Sequence, residues 1–257
     1  MLEGIKNIDV AQLAPLYDDL YMLVPIYALG VPLLRAHYKG VPFNAGLWKP
    51  IMVVYNAIMT IFSAACAVGM AYIVWGKFGG NIKRNECDAF AKDELYDWIV
   101  WAFYMSKYIE FADTFFLIIK GKGVSWLHYY HHIGAAIDMG ILWKSGAEAT
   151  WIFVLFNGTV HTVMYAYYGA ALVGYRLKGK SMITVMQIAQ FIVGMGTFYT
   201  YADVPCFASS SQLMFVYYFT NAYVFGVLCF FLNFFLQNYI KKAPAKTGAA
   251  PATKKVD

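Results

Sequence analysis

Residues 128–132 read His128-Tyr129-Tyr130-His131-His132, and they hold three of the five histidines in the chain. On a helix, positions i, i+3 and i+4 share one face. Three imidazoles on one face form a compact cluster with three kinds of chemistry open to it: metal ligation, proton transfer, or attack on a carbonyl carbon. Three further stretches carry polar groups at helical spacing. Lys107, Glu110 and Thr114 follow i, i+3, i+7, with Asp113 pointing away from that stripe. His161, Met164, Tyr165 and Tyr168 share a face, with Asn157 one turn earlier. Thr184, Gln187 and Gln190 form the last stripe.

These groups sit in an apolar chain. Of 257 residues, 60% are hydrophobic and 14% charged, against about 25% charged in a soluble domain. The composition predicts an all-α polytopic membrane protein. Apolar runs of spanning length predict seven transmembrane helices, at about 20–35, 51–76, 97–119, 127–143, 151–173, 182–202 and 213–238. The first is short and interrupted by Pro25 and Pro32. Residues 1–240 form one transmembrane domain, and 241–257, rich in Ala, Pro and Lys, form a disordered basic tail. The first twenty residues lack a basic start followed by an apolar run, so no cleavable signal peptide is expected there. No basic face lies outside the membrane flanks, which speaks against a nucleic-acid partner.

Lys and Arg set the orientation. Thirteen collect at one set of helix ends, among them Arg35, Lys120, Lys122, Arg176, Lys178 and Lys180; six lie at the other, and Lys107 within a span is the last of the twenty. The richer side is the cytosolic one, so the tail is cytosolic and the N-terminus lies across the membrane, as an odd number of spans requires. Cys87 and Cys206 then fall in loops on the non-cytosolic side, where disulfides persist, and the two are expected to pair. Cys66 and Cys229 lie within spans. Lys254 and Lys255, at −4 and −3 from the end, match the di-lysine retrieval signal of endoplasmic-reticulum membrane proteins.

Depth brings the polar stripes together. At 1.5 Å per residue, Lys107 and His161 lie near the midplane. His131, His132 and Gln187 lie about one turn inside the cytosolic ends. The expected shape is a polar chamber open to the cytosol above an apolar pocket, which suits an amphipathic acyl substrate.

In order along the chain, the stripes match four motifs. Lys107 to Thr114 fits KxxExxDT, His128 to His132 fits HxxHH, His161 to Tyr168 fits HxxMYxYY, and Thr184 to Gln190 fits TxxQxxQ. With Lys49-Pro50 and Tyr55-Asn56 upstream, the chain resembles the elongases of very-long-chain fatty acids, the 3-ketoacyl-CoA synthases of the endoplasmic reticulum. The stretch Trp126 to His132 looks most like the branch acting on saturated and monounsaturated chains. The resemblance implies condensation of an acyl-CoA with malonyl-CoA to a 3-oxoacyl-CoA, releasing CO2 and CoA. The two CoA thioesters are the substrates, and no cofactor or metal is implied. The reductases and dehydratase of an elongation cycle are the implied partner enzymes, and a homo-oligomer is compatible with it.

A condensing enzyme must hold an acyl group. Neither intramembrane cysteine lies among the polar stripes, and an imidazole can serve through an acyl-imidazole. The resemblance points to His131 as nucleophile, with His128 or His132 orienting it or carrying its proton. His161 is the candidate to stabilise the malonyl-derived enolate or handle protons. Lys107, Asn157 and Gln187 are candidate donors to thioester or carboxylate. Glu110 and Asp113 position Lys107 and the histidines, and Tyr165, Tyr168 and Gln190 complete the substrate-binding set. Arg176, Lys178 and Lys180 are placed to meet CoA phosphates.

Two other readings compete. HxxHH also occurs in membrane di-iron desaturases and hydroxylases, but those use about eight histidines for two irons, and imidazole-rich iron sites need more than this chain supplies. A seven-helix transporter or receptor would use the polar groups as a proton or ion path; the sequence has no internal repeats, which argues against a transporter.

Overall fold

The computed structural model describes residues 10–38, 40, 42, 45–81, 90, 92–175 and 179–241. The described residues contain helices and turns and no strand. The long helices are α1 (Leu23–Tyr38), α2 (Ala45–Ala71), α3 (Glu94–Ile109), α4 (Phe111–Ile119), α5 (Trp126–Lys144), α6 (Thr150–Leu172), α7 (Lys180–Tyr199) and α8 (Ser211–Phe235). A π-helical turn extends α2 over Tyr72–Lys77, and another extends α8 over Leu236–Ile240.

Local chemistry explains several boundaries. Asp93 caps α3 by accepting from the Leu95 and Tyr96 amides at 3.0 and 3.1 Å. Ser125 caps α5 by accepting from the His128 amide at 3.2 Å, so the histidine cluster occupies the first two turns after the cap. Ser210 caps α8 in the same way, through Leu213. These side chains satisfy amides that a helix start leaves without partners.

Helix α1 runs through both prolines expected to interrupt it. Pro25 lies in the first turn, where its missing N–H is no loss. Pro32 is internal, and it cannot bond the Ala28 carbonyl one turn back. The Tyr129 hydroxyl of α5 donates to that carbonyl at 2.6 Å, so the bond lost within α1 becomes a tie between helices. The expected single helix over 97–119 is in fact two, α3 and α4, meeting at Glu110.

Helix packing runs in a closed circuit: α2 against α6, α6 against α7, α7 against α8, α8 against α5, α5 against α3, and α3 back against α2. Helix α1 lies outside it, against α4 and α5. The most extensive packing is between α2 and α6, where small residues let backbones meet: a Cβ on Gly158 would lie 3.1 Å from the Ser63 carbonyl and 3.2 Å from the Ala67 Cβ. One end of the circuit is filled by an aromatic core that includes Phe90, Tyr96, Trp151, Phe198, Tyr201 and Phe207.

The outward faces are apolar. Leu29, Leu33, Ile61 and Val68 are each about 70% exposed, as side chains facing lipid would be. Four stretches, Asp19–Tyr38, Gly46–Lys77, Lys180–Asp203 and Ser211–Ile240, are long and apolar enough to cross a membrane. The α3–α4 pair, α5 and α6 carry three of the four polar motifs, and their charged, histidine and tyrosine side chains lower the apolarity of those runs. Cys206 is disulfide-bonded; its expected partner Cys87 lies outside the described residues, and Cys66 and Cys229 are free thiols. Arg176, Lys178 and the tail beyond Lys241 also lie outside the described residues.

Candidate active site

The circuit encloses a narrow slot with about 60 Å³ of free volume. Helix α3 contributes Phe103 and Lys107, α5 His131, Asp138 and Met139, and α6 Phe156 and Asn157; α7 contributes Gln190 and Phe191, and α8 Tyr223. A few polar groups thus converge on an otherwise aromatic and aliphatic lining, the composition of a ligand site.

Lys107 is the cation of this slot. Its Nζ lies 2.7 Å from Glu110 Oε1 and 3.1 Å from Asn157 Oδ1, and 4.0 Å from the centroid of the Phe103 ring. Lys107 and Glu110 are each 3% exposed. At that depth a charge persists only when paired and hydrogen-bonded. Glu110 supplies the pairing; the Ser106 hydroxyl lies 3.2 Å from the same Oε1 and 2.7 Å from the Phe103 carbonyl, and its one proton serves one of the two acceptors at a time. Glu110 stands at the junction of α3 and α4, so its carboxylate is held at a break in the helix.

His161 of α6 is buried, with Nδ1 3.6 Å from Glu110 Oε1. That is beyond hydrogen-bond length, and Nδ1 has no partner among the described residues. His161 is not among the residues lining the slot; its ring stands beside the Glu110 carboxylate, and a buried ring nitrogen without a partner is a candidate for proton transfer.

The three histidines of α5 have different surroundings. His131 lines the slot, with Nδ1 3.1 Å from the Tyr223 hydroxyl. His128 Nε2 lies 2.6 Å from Thr114 Oγ1, which lies 2.7 Å from the Tyr27 hydroxyl of α1. His132 is buried between them, its ring centroid 4.1 Å from that of His128 and 5.6 Å from that of His131. The His128 and His132 planes are tilted by 39°, and those of His131 and His132 by 73°. Among the described residues, no group of three or more His, Cys, Asp or Glu side chains is arranged to hold a metal ion.

The remaining expected residues divide. Asn157 and Gln190 line the slot; the Gln190 Oε1 is buried without a partner among the described residues. Asp113, off the main stripe as expected, accepts from the Tyr165 hydroxyl at 2.8 Å and so ties α4 to α6. Gln187 reaches the Met164 sulfur at 3.7 Å rather than the slot. Tyr168 is 43% exposed, and Lys180 is exposed at the start of α7.

Sequence reasoning missed Asp138, Thr220 and Tyr223. Asp138 is buried, lines the slot, and accepts from the Thr220 hydroxyl at 2.7 Å. It lies seven residues after His131 and so on the same helical face, a signal that was available. Tyr223 had none, being one of 21 tyrosines in the chain.

The motifs and the slot they build have relatives. A family profile described as the ELO (GNS1/SUR4) family matches residues 15–247. The chain belongs to the ELO family. Among its curated relatives, very long chain fatty acid elongase 2 of Rattus norvegicus is 27% identical over 243 residues, covering 90% of this chain and 82% of the relative. Very long chain fatty acid elongase 6 of Homo sapiens is 29% identical over 210 residues, covering 79% and 78%. Putative fatty acid elongase 4 of Caenorhabditis elegans is 37% identical over 160 residues, covering 57% and 52%. No solved structure matches. Within this ELO protein the aligned span includes all four motifs and every helix of the circuit.

Proposed function

We propose that this ELO protein condenses an acyl-CoA with malonyl-CoA to a 3-oxoacyl-CoA, using His131 as an acyl carrier. One observation carries the proposal: His131, Lys107 and Asn157 converge, from three helices, on one slot whose remaining lining is largely apolar. An acyl chain fits an apolar lining, and a thioester needs a nucleophile and hydrogen-bond donors at one end of it.

In the first half-reaction an imidazole nitrogen of His131 attacks the thioester carbon. The C–S bond breaks, CoA leaves as its thiolate and takes a proton, and the acyl group stays on the ring. In the second, malonyl-CoA loses CO2, and the electron pair of the broken C–C bond forms the enolate of acetyl-CoA. That carbanion attacks the acyl carbon, the imidazole leaves, and 3-oxoacyl-CoA is released. Lys107 and the Asn157 amide stand where developing negative charge can be met, in a site of low water content. His161, with its unpartnered Nδ1 beside Glu110, handles the proton. His128 or His132 orients His131 or carries its proton. Lys180, with Arg176 and Lys178, meets the CoA phosphates, and no cofactor beyond the two thioesters takes part. Saturated or monounsaturated primers are the proposed substrates.

The same reading sets the chain in the endoplasmic-reticulum membrane as seven spans, with the N-terminus in the lumen, the di-lysine tail in the cytosol, and Cys87 paired with Cys206. Microsomes expressing the protein, given acyl-CoA and radiolabelled malonyl-CoA, should form a labelled 3-oxo product two carbons longer than the primer. Absence of such product across primer lengths would refute the proposal.

A further inference from the structure

Tyr223 lies outside all four motifs, yet it touches the proposed nucleophile at two points. Its hydroxyl oxygen is 3.1 Å from His131 Nδ1 and 3.1 Å from the His131 main-chain oxygen. A phenol carries one proton, and a carbonyl oxygen can only accept. The phenol proton therefore goes to the carbonyl, and the contact at Nδ1 is a hydrogen bond only if the ring nitrogen supplies its own proton. The reverse assignment would set phenol and carbonyl lone pairs against each other with no proton between them.

We infer that Tyr223 is a positioning residue that holds His131 as the Nδ1–H tautomer, which puts the free lone pair on Nε2, the nitrogen that attacks the thioester. The inference rests on the nucleophile assignment above. In a neutral imidazole, the hydrogen bond made by one nitrogen decides which of the two carries the proton. Donation from Nδ1 also enriches the electron density at Nε2, as it does in histidines that ligate metals.

Two neighbouring features make this a built contact. Gly134, one turn after His131 on α5, leaves a notch occupied by the Tyr223 ring, and a Cβ there would collide with it. Thr220, one turn before Tyr223 on α8, donates to Asp138 of α5 at 2.7 Å. That second bond fixes the register of α8 against α5, so the phenol hydroxyl meets His131 while its ring packs against Tyr130, centroids 5.8 Å apart.

The test reads the tautomer directly. Protein labelled with 15N-histidine, in lipid nanodiscs, is assigned at His131 by the signal that disappears in His131→Gln. The expected wild-type state carries its proton on Nδ1. In Tyr223→Phe the proton moves partly or wholly to Nε2, and kcat falls about 10- to 100-fold, with KM for malonyl-CoA within about twofold of wild type. Gly134→Ala, which displaces the ring but keeps the hydroxyl, should do the same. A wild-type proton on Nε2, or a Tyr223→Phe protein with unchanged kcat, would overturn the inference; the first readout needs no variant of Tyr223 to fold. Failure of the nucleophile assignment looks different: His131 takes up no acyl group in any protein, whatever its tautomer.

Discussion

Lys107→Met removes the cation from the slot and leaves Glu110 a buried carboxylate with no ion-pair partner. Glu110 would keep only the Ser106 hydroxyl at 3.2 Å and the His161 ring at 3.6 Å. Breaking a buried pair by deleting one member costs about 3–5 kcal/mol. At about 2–4 °C per kcal/mol for a chain of this size, the thermal midpoint should fall by roughly 6–20 °C. Glu110→Leu should fall comparably, because the Lys107 ammonium would be left with the Asn157 carbonyl and the face of the Phe103 ring. The double variant Lys107→Met/Glu110→Leu carries no stranded charge, and replacing both members of a buried pair is often neutral or stabilising. It should recover to within about 2 kcal/mol of wild type and still form no product. Thermal unfolding of the detergent-solubilised protein, read beside malonyl-CoA turnover, separates the two effects. A double variant no more stable than the worse single one would refute the ion-pair argument. A double variant that still elongates would remove Lys107 from the chemistry.

Asp93 gives a pH-dependent prediction. Burial works against its ionised form, but the Lys77 ammonium at 2.6 Å and the Tyr96 and Leu95 amides outweigh that and hold its carboxyl below the usual range. A depressed folded value means its stabilisation is complete above the unfolded carboxyl value, about pH 4, and is lost as pH falls from there through the folded value. Asp93→Ala should cost about 1 kcal/mol at neutral pH, with the gap to wild type closing in acid; a constant gap would contradict the cap. Gly158→Val should cost about 1–3 kcal/mol by forcing α2 and α6 apart, measured as a lower thermal midpoint. Thr114→Val removes the bonds to His128 and Tyr27 and should lower turnover about tenfold or more while acyl-CoA still binds, as a turnover assay beside equilibrium binding would reveal.

Much of the helical frame was legible because apolar run length is a direct consequence of the membrane environment. Each expected run contains a helix, with ends shifted by a few residues. The break at Glu110 was not legible, since apolar residues continue on both sides of it and polar residues within a run do not say where a helix breaks. The continuity of α1 through Pro32 was hidden for a related reason: the compensating hydroxyl comes from Tyr129, far along the chain. Within the site, i, i+3 spacing placed Lys107 beside Glu110 correctly. Spacing along one helix says nothing about partners on another, so the Lys107–Asn157, Asp113–Tyr165 and His131–Tyr223 contacts appear only once the circuit closes. Tyr168 and Gln187, named on their stripes, turn away from the slot for the same reason.

The central claim is that His131 carries the acyl group, and trapping that intermediate tests it most directly. The purified protein would be incubated with acyl-CoA in the absence of malonyl-CoA, digested, and analysed by mass spectrometry. The account predicts a peptide heavier by one acyl group at His131, released CoA in equal amount, loss of the adduct on adding malonyl-CoA, and no adduct in His131→Gln. An adduct on another residue that is discharged by malonyl-CoA, or product formation by His131→Gln at the wild-type rate, would contradict it.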